Sequence, residues 1–508
     1  MKSPVVSPGK LFKNLICGMA VLSALGSVAA AGPDGGIEDA ILSTFEQINR
    51  VPRCSKDEDR ISAWLVGWAS KRGFEVKQDE FKNVLVAVPA TPGLERSPGV
   101  VLQSHMDMVC LKKEGSPHDF TKDGIALIRD GEWIRAKDTT LGADDGIGIA
   151  IALTLAERST KPHPKLEILV TADEEKDMSG AAGLAGNLLS GTRFINLDSE
   201  DDSVLTLGSA GGLHTDISLP TPESPVAADA KLFTVKVSGL AGGHSGVDIN
   251  KNRGNASVLL ARLLREVAPL RLVTLSGGTA DNVIATSAEA TLALGDDVVP
   301  KLEKRVSAFL SEAKTEFPGE AGLAISVDPI ANSGQLAASP ENSSVALNLI
   351  ALLPQGVTAW SKAAADLPET SNNVGIVRMA DGGLQVATFQ RSFHAENLEA
   401  ISMEIASTAK KFGASAMQRG LFPSWPPNTE SALAKLIGEK YQQLYGTPMV
   451  TEVIHAGLEC GNIAAKYPAM EIVSIGPTTL DVHSTNERVK VASLLKIWNL
   501  LEEVLQAQ

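Results

Sequence analysis

Between residues 37 and 210 the chain alternates two hydrophobic periods. Apolar runs of strand length lie at 81–88, 99–103, 166–171 and 194–197, and the stretch 146–157 has helical spacing. Strands that alternate with helices predict a mostly parallel sheet with helices on both faces. Beyond Ala210-Gly211-Gly212, read as a hinge, and the irregular segment around Pro220, Pro222 and Pro225, the pattern changes. It predicts a strand at 232–237, an amphipathic helix at 255–267 and a strand at 282–294. Helix, strand and helix follow across 299–353. A hairpin of 373–379 and 384–391 then folds around Asp381-Gly382-Gly383, followed by a helix at 395–412. After Pro423, Pro426 and Pro427 the first pattern returns, with a helix at 430–445, strands at 450–454 and 471–475, and a terminal helix from 491. The expected fold is therefore an α/β domain split into 37–212 and 421–508, with an α+β domain, 213–420, inserted between the halves.

The first 31 residues break this pattern. Lys2, Lys10 and Lys13 precede an uncharged, mostly apolar run from 15 to 31 that ends in Ala29-Ala30-Ala31. This predicts a removable signal peptide, 1–31, a periplasmic or secreted product and no stable membrane anchor. The rival reading is a retained anchor, for which the run is short.

Composition narrows the function. At 508 residues and 44% apolar content the chain is long enough for more than one core, built with few aromatics (4%). A net charge of -14 argues against nucleic acid as a partner, because phosphate binding needs a basic face. Outside the leader, Cys54, Cys110 and Cys460 are too widely spaced for a disulfide framework or a CxxC metal site. Buried free thiols are expected, with one bridge and a leftover thiol as the alternative.

The candidate chemistry gathers at the predicted strand ends, where ligands of such sheets bind. His105 and Asp107 follow the run 99–103, Glu174 and Glu175 follow 166–171, and Asp198 follows 194–197. Asp144 and Asp145 open the helix at 146, and His483 lies late in the chain. Singly, each is ordinary: a surface pair, a helix-start residue, an acidic loop, a loop histidine. Together they offer imidazole nitrogen and carboxylate oxygen to two divalent metals, zinc first and manganese or cobalt next. His105, Asp144, Glu175, Asp198 and His483 are the expected ligands, with Asp144 as the bridge. Asp107 is expected to fix the tautomer of His105. Neighbours on extended chain point opposite ways, so Glu175 is read as ligand and Glu174 as general base. In the inserted domain, His244 in Gly242-Gly243-His244-Ser245-Gly246 is a candidate oxyanion donor. Arg391 is a candidate carboxylate grip. His118, His163, His214 and His394 are read as structural.

Several longer strings carry a resemblance: Ser-His-Met-Asp-Met-Val (104–109), His-Asp-Phe-Thr-Lys-Asp (118–123), Thr-Thr-Leu-Gly-Ala-Asp-Asp-Gly-Ile-Gly (139–148), Gly-Gly-His-Ser-Gly (242–246), Ile-His-Ala-Gly-Leu-Glu-Cys-Gly (454–461) and Ser-Ile-Gly-Pro (474–477). From about residue 38 onward the chain resembles the di-zinc exopeptidases, which include aminoacylases, carboxypeptidases and dipeptidases. Within them it is most similar to the cytosol non-specific (aminoacyl-histidine) dipeptidase branch. The resemblance implies His105 and Asp198 on one zinc, Glu175 and His483 on the other, Asp144 between them, Asp107 orienting His105, and Glu174 as base. It further implies His244 as transition-state donor, Asn282 and Arg391 as substrate contacts, and an inserted lid through which a homodimer forms. Unblocked dipeptides are the implied substrates, with broad acceptance that extends to Xaa-His. The rivals are an N-acyl amino acid amidohydrolase on the same scaffold and a non-catalytic binding protein with the same fold. The chain departs from the branch in its leader, in the absence of an arginine shortly after Asn282, and in the loop Thr-Thr-Leu-Asp-Val before His483.

Overall fold

A computed structural model describes residues 36–362, 366–380 and 382–507. The leader read at 1–31 and the turn residue Asp381 lie outside the described residues. Among the described residues no helix is long and apolar enough to cross a membrane.

The α/β half is built on an eight-stranded sheet. Its order is Glu75–Gln78, Val84–Val88, Leu166–Thr171, Val100–His105, Arg193–Asn196, Glu471–Ser474, Val204–Ser209, Val450–Ile454. Val100–His105 is parallel to both its neighbours, and Glu471–Ser474 to Arg193–Asn196, whereas the pairings at the Glu75–Gln78 edge are antiparallel. Both central strands are buried throughout, which is why they read as continuous apolar runs. Val100 and Leu102 face a core closed by the helices Ile37–Asn49, Asp59–Lys71, Ala143–Arg158, Ala432–Tyr445 and Val491–Gln506. Val101 faces the other way, onto Cys460 and Ile463 of the short helix Cys460–Lys466. The two-residue period thus sends alternate side chains into two cores and leaves the polar residues to the strand ends.

A second, antiparallel sheet takes its strands from Gly211–Pro220 through Ser415–Phe422. Helices Ala256–Leu264, Val299–Glu316, Pro340–Leu352 and Ala395–Lys411 pack on one face of it. Gly211 and Gly212, read as a hinge, are already the first residues of a strand, paired with Ser392 and Arg391. A Cβ on Gly211 would lie 2.6 Å from the backbone nitrogen of Ser424. Glycine is needed there for close approach of the outgoing and returning chain.

Two strand starts were read too early. The run at 81–88 begins pairing only at Val84, because Asp79 accepts the backbone N–H groups of Phe81 and Asn83 and holds a turn. Within the run at 282–294 the continuous strand starts only at Ala288. The residues before it form a loop against the Gly-rich turn, where the backbone N–H of Ser245 donates to the carbonyl of Asn282.

The expectation of free thiols is corrected for two of the three cysteines. Cys54 pairs with Met108 in an isolated parallel bridge, which brings Cys110 close enough for a disulfide with Cα atoms 5.6 Å apart. Cys460 is free and buried.

Candidate metal centre

The parallel strands deliver their last residues to one edge. His105 ends its strand and is 1% exposed. Its Nε2 lies 2.9 Å from Asp144 Oδ1 and 3.4 Å from Asp198 Oδ1. The other oxygen of Asp144 lies 3.1 Å from His483 Nε2, which is also 2.9 Å from Glu175 Oε2. Asp144 therefore stands between two imidazoles, one oxygen to each. Two donor groups, His105/Asp144/Asp198 and Asp144/Glu175/His483, each fit within 4.8 Å and share that carboxylate.

Asp107 is fully buried. Its carboxylate lies 3.5 Å from His105 Nδ1 and accepts the backbone N–H groups of Glu174 and Glu175. It ties the His105 strand end to the segment that carries both glutamates. The sequence argument about those glutamates needs correction. They open a helical turn, Glu174–Asp177, after Asp173 in the left-handed region (φ 59°). Both side chains reach the same space, and His105, Glu174 and Glu175 also lie within 4.8 Å of one another.

The electrostatics show what charge this donor set suits. Burial pushes the carboxyls of Glu174 and Glu175 up, and Asp198 up to about 7 despite His105 beside it. Burial opposes charging of His483, yet Asp144 and Glu175 raise it to about 11. His105 is likewise raised, against burial, by Asp198, Asp107 and Asp144. Carboxylates too close to ionise together and imidazoles drawn into protonation both demand positive charge. Two divalent cations meet that demand, and the nitrogen and oxygen donors suit zinc, and also manganese or cobalt.

The Asp144 loop is held by two residues that sequence reading missed. Glu487 accepts the backbone N–H groups of Leu141 (2.7 Å), Gly142 (3.0 Å), Ala143 (2.7 Å) and Asp144 (3.4 Å). Arg53, 1% exposed, donates to the carbonyls of Met106, Asp107 and Gly142. Gly142 has φ 70°, and a Cβ there would meet Arg53 Nη2 at 2.5 Å. Asp145, read with Asp144, instead accepts the backbone N–H of Gly148 at the helix start. Glu487 had one signal, its place four residues after His483 on the same loop. Arg53 had none, because it lies in an irregular segment between helices. Glu487→Ala should strand a buried set of N–H groups. At about 1–3 kcal/mol per unsatisfied group, we expect a loss of about 3 kcal/mol or more in denaturant unfolding, together with weaker metal retention.

His244 and Arg391 lie on the second sheet's side of the centre. His244 Nδ1 accepts the backbone N–H groups of Gly246 and Val247, which leaves Nε2 to donate. Burial and then Arg391 depress its pKa to about 4, and the charge of His483 is also felt there, so the ring is neutral. The backbone of His244 pairs with Val283, next to the exposed Asn282. Arg391 is buried with its guanidinium over Phe389, which stacks on His214. The His118 ring packs edge-on against Phe120, and His163 Nδ1 lies 2.8 Å from the Pro164 carbonyl oxygen.

Known proteins resemble this chain along most of its length. The Escherichia coli cytosol non-specific dipeptidase is 39% identical over 466 residues, 91% of this chain and 96% of that protein. The aminoacylhistidine dipeptidase of Vibrio alginolyticus superposes with a TM-score of 0.82 at 34% identity, covering 95% of this chain and 98% of its own. A Staphylococcus aureus tripeptidase shares the fold at 17% identity, with a TM-score of 0.53 over 92% of this chain and 98% of its own. The expectation of a periplasmic or secreted protein is corrected by the Escherichia coli relative, which is a cytosol enzyme matched along nearly its whole length. The family model for peptidase family M20/M25/M40 matches residues 101–507, and the chain belongs to that family.

Proposed function

We propose that the protein is a two-metal dipeptidase that hydrolyses unblocked dipeptides with broad side-chain acceptance, Xaa-His included. The observation that carries this reading is Asp144, whose two oxygens face His105 and His483 separately. His105 and Asp198 would hold one metal, Glu175 and His483 the other, with Asp144 shared. When bound, the metal pair supplies Lewis-acid polarisation of the peptide carbonyl and a more acidic water.

The rest is the work of this chain's own residues. Glu174, whose carboxyl is raised by burial so that its carboxylate is a stronger base, takes a proton from the attacking water in its ionised form and passes it to the leaving amine. Asp107 keeps His105 in the tautomer that presents Nε2 to the centre. His244 donates Nε2–H to the carbonyl oxygen as charge builds there. Its depressed pKa keeps it a neutral donor across the physiological range. Arg391 holds the substrate carboxylate and Asn282 contacts the peptide backbone.

In this reading 37–212 and 421–508 form the catalytic domain. Residues 213–420 form a lid that closes over the substrate and carries the homodimer contact. The likeness of the chain to the two dipeptidases over more than nine-tenths of their length supports the substrate class.

Metal analysis of the purified protein with a dipeptide panel tests the proposal. We expect two divalent ions per chain, and loss of hydrolysis on chelation with recovery on adding zinc, manganese or cobalt. Turnover of N-acetyl amino acids without turnover of dipeptides would replace the dipeptidase by an amidohydrolase. Light scattering tests the dimer.

A further inference from the structure

Beside His244 a second buried group of donors stands without acceptors. Ser371 and Arg391 are directly opposed across the strands Pro368–Ala380 and Gly383–Ser392, so their side chains share a face. His455, just past the strand Val450–Ile454 of the other sheet, reaches that face. Its Nε2 is 2.8 Å from Ser371 Oγ, and its ring is 5.6 Å from that of Phe393. Arg391 and His455 are 4% and 3% exposed. Arg391 Nε and His455 Nδ1 are both buried without a hydrogen-bond partner. Among the described residues no carboxylate pairs with Arg391. Asp281, the acid whose charge it feels, is taken by His214 and Arg419.

A buried cation without an anion and a buried imidazole nitrogen without a partner are each costly. Both are satisfied together by one carboxylate from a ligand. Resting on the dipeptidase reading above, we propose that His455 and Arg391 together form the subsite for the free carboxylate of the dipeptide, and that His455 sets the preference for unblocked over blocked termini. Burial, then Arg391, depresses the pKa of His455 to about 3, so the ring stays neutral and adds a hydrogen bond without a charge. With the Ser371 hydroxyl donating to Nε2, the ring proton sits on Nδ1, the atom that lacks a partner. Arg391 supplies the charge, stacked at 4.0 Å over Phe389. His244 is near enough to both Arg391 and His483 to feel their charges. A bound dipeptide then spans the carboxylate subsite and the metal centre with its scissile carbonyl beside His244. An amide in place of the carboxylate brings an N–H group toward buried donors and leaves one of them unpaired.

The test compares alanyl-alanine with alanyl-alanine amide in the wild type and in His455→Leu, with metal content and thermal unfolding measured alongside. A polar site that loses its matched ligand group discriminates strongly. The variant should therefore raise KM for the free dipeptide by about 10-fold or more with kcat little changed. For the amide, kcat/KM should move by less than about 2-fold, so the acid-to-amide preference collapses. An unchanged preference in a folded, metal-replete variant overturns the subsite. If His455→Leu does not fold, Ser371→Ala carries the test: it should shift the preference the same way by about 3-fold, and no shift again overturns it. A wild type that cleaves both compounds equally refutes this subsite alone, whereas a wild type that cleaves no dipeptide refutes the dipeptidase reading itself.

Discussion

Glu174→Gln should lower kcat for dipeptide hydrolysis by roughly 1,000-fold while both metal positions stay filled. General acid–base transfer contributes roughly 100- to 10,000-fold, and a 1,000-fold loss corresponds to about 4 kcal/mol of transition-state stabilisation. Glutamine keeps the shape and the buried volume but cannot accept and return a proton. The ligand geometry should survive, because Asp107 holds this segment through the backbone N–H groups of residues 174 and 175, not through the Glu174 side chain. KM should therefore change little. Turnover near that of the wild type would sink the base assignment. Loss of metal from the variant would instead make Glu174 a ligand, a role its distance group with His105 and Glu175 allows.

Asp144→Ala should remove metal and activity together. One carboxylate faces both imidazoles, so deleting it withdraws a donor from each position at once. Losing an outer hydrogen-bond partner of a metal ligand costs about 10- to 100-fold in affinity, and losing a shared direct donor should exceed that at both positions. The protein should still fold. The Asp144 loop is held through backbone N–H groups by Glu487 and through the Gly142 carbonyl by Arg53, none of which the substitution touches. A variant that still carries two ions per chain would end the bridging role.

The contrast between these substitutions and Glu487→Ala separates chemistry from support. Glu174 and Asp144 act at the centre and should leave unfolding largely unchanged. Glu487, 3% exposed, should show its effect first as lost stability.

What was legible in the chain was what local periodicity controls. A strand buried on both faces reads as an apolar run, and the first polar residue after it sits at the sheet edge. His105, the Glu174-Glu175 pair and Asp198 were read that way, because the strands leading to the last two flank the His105 strand in parallel. In the antiparallel sheet the helices and the strands near 232–237, 373–379 and 384–391 were legible for the same reason, whereas Gly211–Pro220, read as hinge and irregular chain, and Arg271–Gly277, Gly356–Trp360 and Ser415–Phe422 were not.

Other features depended on groups that meet only after folding. The direction of Glu174 and Glu175 was misread because a left-handed residue before them turns strand into helix within one step. The Cys54–Cys110 bridge follows from a pairing between two loops. The Asp144 loop takes its shape from Glu487, 344 positions away from Ala143. His455 meets Ser371 and Phe393 across the boundary between the two sheets. Sequence alone determined which side chains arrive at the sheet edge, since a two-residue period fixes where a strand's polar residues fall. Only tertiary structure decided how they are aimed, since loops without a period take their shape from buried charges and hydrogen bonds supplied by distant parts of the chain.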